Sequence, residues 1–252
     1  NAPLLSLALK SLINRKATAI LTIAAIALSV TLLLGVEKVR SGARDSFANT
    51  VSGTDLIVGA RGGAIQLLLY SVFRIGDASN NISWQSYEEL RAWPEVAWSV
   101  PISLGDAHRG FRVVGTTAGY FEHLRYGRRQ ALSFDAGQPF ADLFDAVIGA
   151  DVARELGYVV GDRIVLAHGA GAFAVQSHDD KPFTVFGVLA RTGTPVDRSV
   201  HVSLAAIEAI HVDWQSGRPP RPGQAVSAEA ARAMALQPKA VTAVLVGLKS
   251  RM

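Results

Sequence analysis

Residues 59–63 have the sequence GARGG, which follows a predicted strand and precedes a predicted helix. This is the setting in which a loop that binds phosphate groups lies. The segment lacks the Lys-Ser/Thr pair of a nucleotide-binding P-loop and the G-x-G-x-x-G spacing, so it offers no group for Mg²⁺ or a γ-phosphate. We therefore expect a turn that lets the strand and the helix pack closely.

A second group of residues has the chemistry of metal ligands. His and Asp are both common ligands, but this group lies in or beside a loop rich in Gly and Ala, which cannot fix ligand geometry by itself. We expect a solvated loop without a metal ion. The residues of this group are His168, His178, Asp179 and Asp180, and the remaining histidines are scattered as His108, His123, His201 and His211.

Two further motifs could contact a partner. RYGRR at 125–129 could bind an acidic headgroup or a carboxylate, and PPRP at 219–222 fits the minimal Pro-rich ligand pattern. A basic surface turn and a stiff connection are the commoner outcomes. The sequence shows neither a Ser-His-Asp order with a nucleophile elbow nor paired carboxylates in a catalytic setting. We predict no catalytic, cofactor-binding or metal-binding residues, and no enzyme activity.

The first long element that the sequence predicts is an apolar segment near the N-terminus. From Ala17 to Val36 there are 20 consecutive uncharged residues, which as a helix would be about 30 Å long, the thickness of a bilayer's hydrocarbon core. A signal peptide has a shorter apolar region, and it ends at small residues rather than at charges such as Glu37. We predict an interfacial elbow helix over 1–16, a membrane helix over 17–36 and a helical stalk over 37–52.

The orientation of this helix is not decided by its flanking charges. Three basic residues precede the apolar segment and three follow it. More than 200 residues follow, however, and long domains are translocated largely regardless of charge. We expect a cytoplasmic N-terminus and an external domain over 53–252.

Composition narrows the class of protein further. The chain has 252 residues and a formal charge of +4, but residues 51–252 contain 19 basic and 19 acidic residues. The basic excess therefore lies beside the membrane segment, where it suits lipid headgroups, and a nucleic-acid partner is not expected. The absence of cysteine excludes disulfides and thiolate metal sites.

The external residues predict a mixed α+β domain of two subdomains, since short helices and strands follow one another without regular βαβ alternation. Strands EVAWSVPISL and GFRVVGT are expected to be separated by a turn at Gly105 and Asp106. Asp151 is expected to cap the helix DVARELG. RIVLAH and KPFTVFGVLA are expected to form a hairpin across the loop 169–181.

The order of these segments resembles the first membrane helix and the periplasmic core domain of MacB/FtsX-type ABC transporter permeases, over nearly the whole chain. No single short motif is decisive, and the most characteristic part is FGVLARTGTPVDRSVHVSL. The segments are SGTDLIVGARGG, LRAWPEVAWSVPIS, FRVVGTTAGYF, AVIGADVARELG, GDRIVL and FTVFGVLARTGTPVDRSVHVSL.

The resemblance implies a permease subunit of the bacterial inner membrane that dimerises, pairs with a separate cytoplasmic ATPase, and passes ATP-driven motion to its periplasmic domain. The cargo would be a lipoprotein, a peptide or a small molecule, and some relatives use a periplasmic adaptor. No later segment is long enough to span, so we expect the N-terminal portion of such a permease, incomplete at its C-terminus.

Two alternatives remain open. The chain could be a single-span receptor or anchored binding module, or a secreted enzyme with a signal peptide cleaved near residue 37. The coding sequence after residue 252 would distinguish the permease from the receptor.

Overall fold

The computed structural model describes residues 15–76, 78, 80–169, 178–214 and 225–250, without the side chains of Ser46, Phe47 and His168. Nearly all of the predicted elbow helix, and the PPRP motif, lie outside these residues. The chain forms two compact units, Asn1–Ser46 and Phe47–Met252.

Helix α1, Lys16–Thr50, contains the apolar segment of the sequence. It is the one helix among the described residues that is long and apolar enough to cross a membrane, and none of its apolar window is buried within the protein. Three hydroxyl groups in this segment donate to backbone carbonyls one turn earlier, Thr22 to Thr18, Ser29 to Ala25 and Thr31 to Ala27. These bonds satisfy polar groups that lipid could not. The division of α1 into membrane span and stalk stays a prediction.

The second unit combines short strands with short helices. Its strands are β1 Leu56–Gly59, β2 Ile82–Ser83, β3 Val96–His108, β4 Phe111–Thr116, β5 Arg125–Tyr126, β6 Gln130–Ala131, β7 Phe134–Gly137, β8 Asp145–Ile148, β9 Arg163–Ile164, β10 Ala167–His168, β11 Phe183–Leu189, β12 Ser199–Ser203, β13 Ala240–Val241 and β14 Ala243–Leu248. Its helices are α2 Ala64–Ser71, α3 Trp84–Arg91, α4 Gly119–His123, α5 Ala150–Leu156, α6 Leu204–His211 and α7 Ala228–Arg232, with a 3₁₀-helix over Pro195–Arg198.

A ten-stranded sheet organises this unit, in the order β1-β14-β3-β4-β12-β8-β11-β7, with β10 beside β3 and β9 beside β11. The pairs β4–β12 and β8–β11 are parallel and the other pairs are antiparallel. The predicted mixed α+β class is confirmed. Phe47–Met252 is one compact unit that contains this sheet, and its division into two subdomains stays a prediction.

The central strands are buried on both faces of the sheet. Along β8, Ala146 and Ile148 belong to one apolar cluster, which packs against α5, α6 and α7, whereas Val147 belongs to another, which contains α4. Strand β4 divides in the same way between Val113 and Val114. Because successive side chains point to opposite faces, both clusters are needed to keep these strands out of water.

The turn predicted at Gly105 and Asp106 is wrong. Strand β3 continues through both residues, and its pairing with β4 shifts between Leu104 and Ala107, which is a β-bulge. The hairpin turn lies instead at Arg109 and Gly110, both with positive φ, as two-residue hairpin turns require. A bulge absorbs the extra residues without ending the strand.

The cap predicted at Asp151 is also wrong. Helix α5 begins after Gly149, which has no side chain, and Asp151 lies in its first turn, where a negative charge suits the helix dipole. A Cβ atom at position 149 would lie 2.3 Å from the Val196 carbonyl oxygen. Glycine is therefore required here by the close approach of the 3₁₀-helix.

The predicted hairpin of RIVLAH with KPFTVFGVLA is confirmed only in its first half. Ile164 of β9 pairs with Phe183 of β11, but β10 leaves this partner and pairs with β3 at the bulge, His168 opposite Asp106. Much of the intervening loop, residues 170–177, lies outside the described part of the chain.

The segment RTGTPVDR is a turn closed by one carboxylate. Asp197, 2% exposed, accepts hydrogen bonds from the backbone N–H of Thr192 at 2.8 Å, from its hydroxyl at 2.7 Å and from the N–H of Gly193 at 2.7 Å. Thr194 accepts from the N–H of Val196 and so caps the 3₁₀-helix. These hydrogen bonds fix the conformation of the turn.

His201 of β12 is fully buried against Tyr120 and Phe121. Burial lowers the pKa of His201 to about 3, with a further contribution from the positive charge of Arg74. The imidazole is therefore neutral in the folded protein.

Asp197→Asn should destabilise the unit, because an amide replaces one acceptor oxygen by a donor that faces other donors. We expect a loss of about 1–3 kcal/mol in the free energy of unfolding, measured by equilibrium denaturation in detergent. The control Asp135→Asn changes an exposed carboxylate and should have no effect. Equal stability of the two variants would contradict the structural role of Asp197.

His201→Leu should flatten the dependence of stability on pH. The pKa of His201 is about 3 in the folded state and about 6.5 in the unfolded state, so protonation favours unfolding as the pH falls below 6.5. The wild type should lose about 2 kcal/mol more than the variant between pH 7 and pH 5, measured by denaturation at both values. His123→Leu, at a half-exposed histidine, should behave as the wild type; parallel pH profiles for all three proteins would refute the assignment.

Candidate functional site

An arginine-lined pocket of about 460 Å³ lies in the second unit. Four arginines line it together with two carboxylates, Asp151 and Asp197, and with Phe73 and Phe111. We call it the arginine pocket; its arginines are Arg74, Arg112, Arg191 and Arg198.

The four guanidinium groups come from separate parts of the chain. Arg112 is on β4, Arg191 follows β11, and Arg198 ends the 3₁₀-helix. Arg74 follows α2 and has a φ of 61°, a left-handed conformation that is uncommon outside glycine. The fold of the second unit therefore has to form before the pocket exists.

Hydrogen bonds within the protein hold the side chains of Arg112 and Arg74 in place. Arg112 donates to the Gly76 carbonyl at 2.6 Å, and Arg74 donates to the Ser71 carbonyl and to the Tyr120 hydroxyl. Burial raises the pKa of Tyr120, while the positive charge of Arg74 opposes that rise. The phenol is thus a neutral hydrogen-bond partner.

Arg198 forms both an ionic and an aromatic contact. Its guanidinium bonds Glu155 at 2.6 Å and lies 4.8 Å from the centre of the Phe111 ring. Arg191, in contrast, is exposed at the rim. With four positive and two negative groups, the lining carries a net positive charge. Guanidinium groups bind carboxylates and phosphates through paired hydrogen bonds, so the pocket suits an anionic group.

The GARGG segment is a turn between β1 and α2, as predicted. Gly63 precedes the first turn of α2, and a Cβ atom at Gly59 would lie 2.4 Å from Leu67 Cδ1. The glycine thus permits close packing of helix on strand.

The group of potential metal ligands at 168–180 is only partly exposed to solvent as expected. Asp179 and Asp180 are exposed, as expected of residues in a solvated loop. The expectation is wrong for His178, which is fully buried. His178 lies beside Asp106 and His211 rather than with its sequence neighbours. This grouping could not be predicted from the sequence, because the three residues come from different segments.

The RYGRR motif forms the turn between β5 and β6. Its Gly127 N–H donates to the Asn49 carbonyl at 2.8 Å, and the Arg129 N–H donates to Ser52 Oγ at 3.0 Å. Arg125 donates to the Glu122 carbonyl at 2.6 Å. The motif therefore packs on the residues at the C-terminal end of α1 through backbone groups, and none of its arginines lines the arginine pocket.

Sequence reasoning did not find the arginine pocket. Only Arg191 and Arg198 lie in one segment, RTGTPVDR, whereas Arg74 and Arg112 join them through the fold. The one signal in the sequence is that RTGTPVDR lies within the part of the chain that is most characteristic of the family resemblance.

The chain matches a known protein family and is similar to solved structures. Residues 19–245 match the family of MacB-like periplasmic core domains. No curated protein matches the chain. The periplasmic region of MacB from Actinobacillus actinomycetemcomitans is 10% identical, with a TM-score of 0.45, over 81% of this chain and 78% of that chain. The extracellular domain of the noncanonic ABC-type transporter YknZ from Gram-positive bacteria is 13% identical, with a TM-score of 0.40, over 68% of this chain and 74% of that chain.

The family match starts within α1 and ends within β14, so it covers the apolar helix and the ten-stranded sheet together. It confirms the resemblance that the order of sequence segments indicates. The chain belongs to the family of MacB-like periplasmic core domains.

Proposed function

We propose that the chain is the N-terminal portion of an ABC transporter permease that couples ATP hydrolysis in the cytoplasm to movement of its external domain. The cargo is a lipoprotein, a peptide or a small molecule. ATP is hydrolysed by a separate subunit, and a second permease copy and a periplasmic adaptor complete the assembly.

One observation carries this proposal. A domain of the MacB-like periplasmic family follows, in the same chain, a helix whose apolar side chains are exposed over the length of a bilayer. Helix α1 leaves Ile20, Leu33 and Val36 between 63% and 70% exposed. In water such a surface is strongly unfavourable, and in lipid it is not. The family and the helix together support a domain anchored in a membrane.

The stalk provides the mechanical step. Helix α1 continues without a break from the apolar segment to Thr50, and Val39, Ala43, Phe47 and Val51 follow one another at a spacing of four. A continuous helix transmits displacement along its axis, whereas a flexible chain does not. In the proposed orientation, the N-terminus is cytoplasmic and the large domain periplasmic.

The arginine pocket provides the contact with a ligand. Its net positive charge and its aromatic lining suit an acidic segment of the cargo or of the adaptor. Arg191 is the side chain that such a segment meets at the rim, since it is exposed.

A flexible insertion in the stalk should uncouple the transporter. A Gly-Ser segment of seven residues after Gly42 in the full-length permease should lower export by about tenfold or more while its partner continues to hydrolyse ATP, because the helix no longer transmits displacement. Export in cells and ATPase activity in proteoliposomes measure the two effects. Seven helix-forming residues at the same place are the control; equal export from both insertions would contradict the proposal.

Arg191→Glu should weaken the binding of an acidic peptide to the arginine pocket. We expect about a threefold or greater loss of affinity for fluorescent hexaglutamate, since exposed charge pairs contribute about 0.2–1 kcal/mol each. Fluorescence anisotropy at low ionic strength measures it. Arg163→Glu removes an exposed arginine of β9 outside the pocket, and the assignment fails if this control weakens binding equally.

A further inference from the structure

Asp106, His178 and His211 converge at one point in the second unit, which we call the histidine cluster. One ligand atom of each residue lies within 4.8 Å of the others. Asp106 comes from the bulge of β3, His178 lies between β10 and β11, and His211 is the last residue of α6. These three segments are distant in sequence, so the cluster is a product of the fold.

The geometry of His211 leaves one ring nitrogen directed at the cluster. Its Nδ1 lies 2.6 Å from the Ile207 carbonyl oxygen, and a carbonyl can only accept, so Nδ1 carries the hydrogen. In the neutral ring, Nε2 then has the lone pair. Histidine ligands of metals characteristically donate their second ring nitrogen to a backbone carbonyl or carboxylate in this way.

The distance between His211 and Asp106 fits two ligands of one ion. His211 Nε2 lies 3.8 Å from Asp106 Oδ1, which is too long for a hydrogen bond. Two ligand atoms at about 2.0–2.2 Å from a tetrahedral Zn²⁺ are separated by about 3.3–3.6 Å. A shift of about 0.2–0.5 Å would therefore bring this pair to the spacing of two ligands.

His178 is held rigidly beside this pair. It is fully buried, its N–H donates to the Leu166 carbonyl at 2.9 Å, and its own carbonyl accepts from the Lys181 N–H at 3.1 Å. Its ring lies 5.1 Å from the ring of His211 and 4.7 Å from that of Trp214. Packing thus fixes the imidazole, as a preorganised ligand requires.

Asp106 is buried, being only 4% exposed. A divalent cation suits a buried carboxylate that lies beside two imidazole nitrogens.

We propose that Asp106, His178 and His211 form a Zn²⁺ site. Two imidazole nitrogens and one carboxylate oxygen are ligands that Zn²⁺ prefers, whereas Ca²⁺ and Mg²⁺ prefer all-oxygen sites. The ion joins the bulge of β3, the segment at His178 and the end of α6, so it stabilises the folded domain by binding to that state alone. The site is independent of transport and of the arginine pocket.

The test uses the full chain purified in detergent, stripped with EDTA and dialysed against Zn²⁺. We expect one bound Zn²⁺ per chain by elemental analysis, and a thermal midpoint that rises on addition of Zn²⁺ but not of Mg²⁺. Asp106→Asn and His211→Ala should each lower Zn²⁺ affinity by about tenfold or more and abolish the rise of the midpoint.

His123→Ala is the matched control, because it removes a histidine outside the cluster and should bind Zn²⁺ as the wild type does. The midpoints without metal report folding, and His211→Gln replaces either variant that fails to fold. The proposal is overturned if the wild type binds less than one Zn²⁺, if the cluster variants bind it unchanged, or if His123→Ala loses it to the same extent.

Discussion

The two-faced burial of the central sheet strands is the constraint on which the external domain depends. A sheet covered on one face only would leave β4 and β8 half in water. The chain has no cysteine, so no disulfide links these layers and apolar packing must stabilise them. The cluster with α5, α6 and α7 and the cluster with α4 share the same strands, and neither could form without the other.

This shared core also decides where functional groups lie. The arginine pocket collects side chains from β4, from the end of α2 and from the RTGTPVDR turn. That turn is closed by Asp197, whose oxygens accept from Thr192 and Gly193. Because Asp197 forms these hydrogen bonds and also lines the pocket, its carboxylate has a structural role at a site otherwise dominated by positive charge.

Local signals were sufficient for much of the fold. The apolar stretch predicted a long helix, and the glycines of GARGG predicted close packing of α2 on β1. The failures at Gly105 and at Asp151 have a common cause. Glycine and aspartate are typical of turns and caps, and only the pairing of β3 with its neighbours, or the approach of the 3₁₀-helix to Gly149, shows that tertiary structure prevails.

The candidate sites were beyond the reach of the sequence for a related reason. His178 packs against the rings of His211 and Trp214, which are more than 30 residues away in the sequence. Sequence spacing can indicate a site only when its members share one element. Here both the arginine pocket and the histidine cluster are assembled across the sheet, so composition and periodicity carry no trace of them.

The hydroxyl groups of α1 have a consequence for assembly in the bilayer. The hydroxyl groups of Thr22, Ser29 and Thr31 donate their hydrogens to backbone carbonyls of their own helix. These hydrogens are therefore not available to an adjacent helix. Contact between this segment and another membrane helix would therefore rest on shape, with small residues such as Ala24 and Gly35 allowing close approach of the two backbones.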